Sequence, residues 1–143
     1  AFAHTHQPQA YFPATAHLLK PGGRLVVCDD FLALASPTGE HAGAAPHWLE
    51  TYRTGWSVPS VIDPTTAAVY ARDAGLALVD QRNLTPYLRL RPLPGGMLRL
   101  FELLVRALAP QDPHWRSILG GQALQICLSR GLVQYRCLTF TRM

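Results

Sequence analysis

The 143-residue chain is 48% hydrophobic and 15% charged, enough apolar material for one packed domain and hardly for two. Its formal charge of +4 comes from 12 arginines and one lysine against 9 acids. The arginines run from Arg24 to Arg142 with a mild concentration at Arg89, Arg91, Arg99 and Arg106, not in a run that could track a phosphate backbone, so no nucleic-acid partner is expected.

No apolar run nears the roughly 20 residues that span a bilayer, and no basic n-region or apolar h-region opens the chain, so a soluble cytoplasmic protein without a membrane partner is the reading. Ala1 to Ala10 lacks an initiating Met and reads as a cut into a longer chain. Cys28, Cys127 and Cys137 are odd in number, far apart and set in apolar stretches, which points to buried reduced thiols and not to a zinc site.

The first element is a helix over Pro8 to Leu19, where Tyr11, Ala14 and Leu18 run beside Phe12, Ala16 and Leu19 at helical spacing. Pro8 suits a helix start, whereas Pro13 should delay or kink it. Lys20-Pro21-Gly22-Gly23 stops the helix, because proline cannot continue it and glycine closes a helix C-terminus. Leu25 to Cys28 then forms an unbroken apolar run, the pattern of a central strand covered on both faces, and it ends in Asp29 and Asp30.

Residues 32–62 read as a loop carrying one short helix around Trp48 to Tyr52 and Trp56. Asp63 and Pro64 look like an N-cap and first helical residue, Gly75 stops that helix, and Leu76 to Val79 is the next strand. Met97 to Leu108 is helical, with Leu98, Leu100, Phe101, Leu103, Leu104 and Leu108 expected to pack. Trp115 to Leu128 is another helix, with Gly120-Gly121 as its weak point, and Leu132 to Thr141 is a closing strand.

The stretch from Ala1 to Phe31, with its amphipathic helix, L-K-P-G-G turn, buried strand and terminal acid, resembles a segment of the class I (Rossmann-like) S-adenosylmethionine-dependent methyltransferases. That segment runs from the end of the fourth strand through the fifth. Ala74 to Val79 matches the family's helix, Ala-Gly and strand pattern. The resemblance implies an α/β fold made of the C-terminal half of the methyltransferase sheet, strands five, six and seven with flanking helices. The last strand would insert antiparallel between five and six. Residues 32–62 would be an insertion or lid over the substrate pocket.

The resemblance implies S-adenosyl-L-methionine as cofactor and a small-molecule acceptor: a natural product, lipid, sterol or quinone-like compound. Yet the glycine-rich loop after the first strand and the acid after the second, which hold the cofactor in the family, have no counterpart in this sequence. Gly22-Gly23 precedes a strand, and Gly95-Gly96 lies among prolines. The N-terminal, cofactor-binding half is therefore read as absent, and the chain as inactive alone.

His4, just after the position of the fourth strand, is the candidate general base, and Asp30, in competition with Asp29, the acid that orients it or meets the acceptor. Phe31, Trp48, Tyr52 and Trp56 either wall an apolar substrate pocket or serve as core. His4-x-His6 with His17 lacks a third ligand at a metal-binding spacing, so no metal is expected. A missing fourth strand would leave the edge of the fifth unpaired, which suggests a partner chain or a homodimer through Leu25 to Cys28. A binding or dimerisation module is the alternative function.

Overall fold

A computed structural model of the chain describes residues 2–34 and 45–143. They form two units: Ala1–Leu34 with Pro59–Leu88 and Gln134–Met143, and Ala35–Val58 with Arg89–Val133. The insertion expected over residues 32–62 lies in part at 35–44, outside the described residues.

In the first unit a short 3-10 turn, Phe2–His4, precedes helix α1, Pro8–Leu18. Pro13 sits inside α1 without delaying it. Its ring faces solvent, so the carbonyl it deprives of a partner can be hydrated. Gly22, at φ +75°, makes the turn into strand β1, Arg24–Leu32, longer than the apolar run alone suggested. Helix α3, Pro64–Asp73, starts as expected: the Asp63 side chain accepts from the Thr65 and Thr66 amides at 2.8 and 3.0 Å. Strands β2, Leu76–Asn83, and β3, Val133–Arg142, complete a three-stranded sheet in the order β1-β3-β2.

β3 runs antiparallel to β2, with Leu76 opposite Arg142 and Asn83 opposite Arg136. It is tied to the start of β1 by Gly22 N–H donating to the Arg142 carbonyl and Arg142 N–H to that of Gly23. The last strand in sequence is thus the middle strand in space, as expected.

The core of this unit lies on one face of the sheet, where Phe12 and Ala16 of α1, Ala67 and Ala71 of α3, Val27, Phe31, Leu76, Leu138 and Phe140 pack with Phe2. Burial alternates along β1: Val27, Asp29 and Phe31 are buried, whereas Val26 and Cys28 are exposed. A strand covered on both faces is not what these residues show, because α1 and α3 pack into the same core and so cover the same face. The same alternation corrects the thiols: only Cys127 is buried, Cys28 being exposed and Cys137 half-buried.

The second unit is helical: α2, Ala45–Gly55; α4, Gly95–Leu108; and α5, Pro113–Ser129. Gly120-Gly121 does not weaken α5, which runs unbroken through both. Gly120 instead lets α5 approach α2: a Cβ at Gly120 would lie 2.9 Å from the Gly55 Cα, and one at Gly55 would lie 2.5 Å from the Arg116 carbonyl oxygen. On α4, Leu98, Glu102 and Val105 are buried, but Leu100, Leu103, Leu104 and Leu108, expected in the core, are exposed.

Candidate functional site

The chain's chemistry-bearing residues fall into two groups, one in each unit. In the first unit, Asp29 is buried on the core side of β1, and both its carboxylate oxygens are engaged. Oδ2 accepts from the Ala3 amide and Oδ1 from the Asp30 amide, each at 2.9 Å. The first amides of a 3-10 turn have no partner within it, and Asp29 supplies one, fixing the turn to the strand. Removing that carboxylate would leave two amides without their acceptor, at a cost of about 1–3 kcal/mol.

His4 closes the turn with its side chain exposed. The acid bonded to the segment of His4 is therefore Asp29; Asp30, the next residue along an alternating strand, belongs to the opposite face. On that face Cys28 and Tyr135 lie within electrostatic reach of one another, with Asp29 and Asp30 also acting on Tyr135. Burial first, then these neighbours, raises the Tyr135 phenol above its ordinary range.

Cys28 and Cys137 stand on adjacent strands and share a hydrogen bond. That bond first, with burial and the nearby charges of Cys137 and Asp29, pushes the Cys28 thiol up to about 11. At pH 8 Cys28 should thus be almost wholly protonated and slow to alkylate although exposed. Cys137→Ala, which removes the first cause, should speed iodoacetamide labelling of Cys28 severalfold; an unchanged rate by mass spectrometry would refute the pairing.

The aromatic residues expected to wall a pocket serve mainly as core. Phe31 is fully buried and stacks on Phe2 with ring centroids 5.8 Å apart. Trp48 and Tyr52 are buried in the helical unit, Trp48 beneath the Arg99 guanidinium at 5.5 Å. Trp56 remains 38% exposed, its indole N–H donating to the Ser117 carbonyl at 3.0 Å. Among the described residues no three acids, histidines or cysteines gather as a metal site.

Sequence reasoning missed a cleft of about 370 Å³ in the helical unit, where His47, Glu102, Arg106 and Arg116 share the lining with Val105, Pro110 and Leu119. Glu102 is its buried centre, with Oε2 paired to His47 Nε2 at 2.9 Å and Oε1 accepting from Arg106 at 2.8 Å. The signal was available: Glu102 is the one acid in a leucine-rich helix, at the same phase as Leu98 and Val105. A buried carboxylate held from two sides joins α2 to α4.

No protein-family model and no curated protein matches the sequence. Solved structures do match. A mycolic acid cyclopropane synthase solved with S-adenosylhomocysteine superposes with a TM-score of 0.69 at 14% identity, over 99% of this chain and 53% of its own. Geranyl diphosphate C-methyltransferase from Streptomyces coelicolor gives 0.60 at 17%, over 96% of this chain and 43% of its own. Phosphoethanolamine N-methyltransferase 2 from Haemonchus contortus gives 0.62 at 13%, over 99% of this chain and 32% of its own.

The fold is that of a class I S-adenosylmethionine-dependent methyltransferase, over about half of its length.

The sheet order β1-β3-β2 corresponds to strands five, seven and six of that methyltransferase fold, the last strand antiparallel. The glycines at positive φ, Gly22, Gly75 and Gly131, each stand just before a strand, whereas a loop that cradles the cofactor must follow one. The buried acid of β1, Asp29, gives one acceptor site on each oxygen to a backbone amide.

Proposed function

We propose that this chain is the substrate-side half of a methyltransferase domain acting on a small-molecule acceptor such as a natural product, lipid, sterol or quinone-like compound. The carrying observation is the superposition of nearly the whole chain on about half of several methyltransferases. Fold alone does not fix the acceptor. In this reading S-adenosylmethionine is held by residues outside the chain, which is inactive alone. The segment comprising residues 32–62, whose described part includes α2, belongs to the lid.

The chain's own contribution is on the acceptor side. His4, exposed at the end of a turn that Asp29 clamps, takes the proton that an oxygen, nitrogen or carbon acceptor must lose. Asp29 sets the position of the base through the backbone, with Asp30 as the alternative acid for the acceptor hydroxyl. Of the aromatic candidates, Trp56 keeps an open face within the helical unit, whereas Phe31 belongs to the core of the first unit and Trp48 and Tyr52 to that of the helical unit.

The test is transfer of a radiolabelled methyl group to geranyl diphosphate, phosphoethanolamine and an unsaturated acyl lipid. It compares the chain alone with the chain fused behind the cofactor-binding half of a methyltransferase. Transfer is expected only in the fusion, falling at least about tenfold in His4→Ala. Turnover by the chain alone, or an unchanged rate in His4→Ala, contradicts the reading.

The position of β1 at the sheet edge favours a second reading, a binding or dimerisation module. Unpaired backbone groups along an edge strand recruit another strand, and exposed Val26 and Cys28 do not guard it. A homodimer by light scattering that Val26→Pro dissociates would favour the module; a monomer would favour the half-domain.

A further inference from the structure

The fold brings Cys28 of β1 and Cys137 of β3 together on neighbouring strands, and the backbone fixes how closely. The start of β1 meets the end of β3: the Gly22 N–H donates to the Arg142 carbonyl at 2.9 Å and the Arg142 N–H to the Gly23 carbonyl at 2.8 Å. The two strands therefore run in opposite directions, with Gly22-Gly23 opposite Arg142 as a bulge. Cys28 lies five residues on from Gly23 and Cys137 five back from Arg142, which makes the cysteines direct cross-strand partners. A register slipped by one residue would set Val27 opposite Cys137 or Thr139, whereas Val27 shares the core with Leu138.

Opposed residues of an antiparallel ladder alternate between pairs that exchange backbone hydrogen bonds and pairs that do not. Arg142 bonds across the strands, so the cysteines, an odd number of residues away, form a pair of the second kind. In such a pair the Cα atoms stand about 4.5 Å apart and the side chains share one face. That separation falls within the range of about 4.4–6.8 Å that a disulfide spans without backbone movement. Both residues are free thiols, already joined by a hydrogen bond, and Cys28 is open to solvent.

We propose that Cys28 and Cys137 form a redox-sensitive modification site, at which exchange with a small disulfide closes a cross-strand bond between β1 and β3. The Cys28 thiolate attacks one sulfur of the small disulfide, breaks its S–S bond, takes that sulfur as a mixed disulfide and releases one small thiol. The Cys137 thiolate then attacks the Cys28 sulfur, makes the Cys28–Cys137 bond and releases the second small thiol. Two protein thiols are oxidised by two electrons, and the small disulfide is reduced to two thiols that carry away both protons. The bond ties the edge strand, with the Asp29 that clamps the turn of His4, to the central strand. It also encloses residues 29–136 in one loop, which restricts the unfolded chain far more than the folded one, so folding and bond formation favour each other. The proposal does not depend on the methyltransferase reading.

The experiment equilibrates the 143-residue chain at pH 8 with a fixed concentration of reduced glutathione and graded oxidised glutathione, once folded and once in concentrated urea. Equilibrium and not rate is read, because a thiol pushed up to about 11 exchanges slowly. Acid stops the exchange, remaining thiols are alkylated at controlled pH, and the peptides are identified by mass spectrometry. In the folded chain the Cys28–Cys137 peptide pair should appear while Cys127, which is buried, stays reduced. It should be half-formed at an oxidised glutathione concentration at least about tenfold lower than in urea. Glutathione adducts on Cys28 without the cross-link, a bond made instead to Cys127 or between copies, or a cross-link formed no more readily in the folded chain than in urea overturns the proposal.

Discussion

Phe12→Ala should lower the stability of the first unit by about 3–5 kcal/mol. Phe12 has no exposed surface and lies between Phe2 and Phe140, each ring centroid 5.5 Å from its own. Its ring joins α1 and the 3-10 turn to the central strand, so its loss empties a site that flanking residues on three elements cannot all collapse into. Domains of this size are stable by about 5–15 kcal/mol, so the loss is a large share of the total. Urea unfolding followed by circular dichroism measures it. Leu108→Ala, at a side chain 81% exposed, serves as the control and should shift stability by less than about 0.5 kcal/mol. Equal effects from the two would mean that the aromatic cluster is not the core.

Gly55→Ala should be comparably harmful in the helical unit, about 1–3 kcal/mol or more from a single added methyl. The Cβ would stand 2.5 Å from the Arg116 oxygen and 2.6 Å from the Gly120 Cα, and because both are backbone, no side chain can turn aside. Gly120→Ala meets the same crossing from the other side, with Gly55 Cα at 2.9 Å and Trp56 Cδ1 at 2.8 Å, so the two substitutions should be less than additive. Gly121→Ala provides the discriminating contrast: its nearest neighbour, Trp56 Cζ2, lies at 3.5 Å, an ordinary contact. The gain in helix propensity should leave that variant neutral or stabilised by up to about 1 kcal/mol. All three tryptophans, Trp48, Trp56 and Trp115, belong to this unit, so their fluorescence reports its unfolding selectively. A Gly121→Ala variant as damaged as Gly55→Ala would show that helix flexibility, not close approach, sets these positions.

These glycines show why part of the fold was legible in sequence and part was not. Turns and buried runs are local signals, so Pro21-Gly22-Gly23, the strand from Leu25 and the Asp63-Pro64 helix start could be read one segment at a time. Whether Gly120 breaks a helix or admits a neighbour depends on Gly55, 65 residues away. The leucines of α4 posed the same problem: their spacing established a helix, but its buried phase, Leu98, Glu102 and Val105, carries an acid whose partner, His47, lies 55 residues away.

The candidate site divides in the same way. An acid near the end of the strand was visible, but adjacent residues of a strand face opposite ways, and only the Ala3 amide shows that Asp29 is the one joined to the segment of His4. The Trp48 and Tyr52 alternatives, pocket wall or core, resolved to burial through packing contacts that composition cannot supply. Glu102 was passed over as one polar residue in an apolar helix, although a lone acid on the buried phase is itself a signal of a partner.

Calorimetric titration of S-adenosylmethionine into the purified chain tests the proposal that it carries the acceptor side of a methyltransferase domain while the cofactor is held by residues outside it. The glycines at positive φ all precede strands, whereas a loop that cradles a cofactor follows one, so the heats should match dilution alone even at millimolar cofactor. Saturable binding at micromolar concentration would contradict the claim and place a cofactor site within these 143 residues.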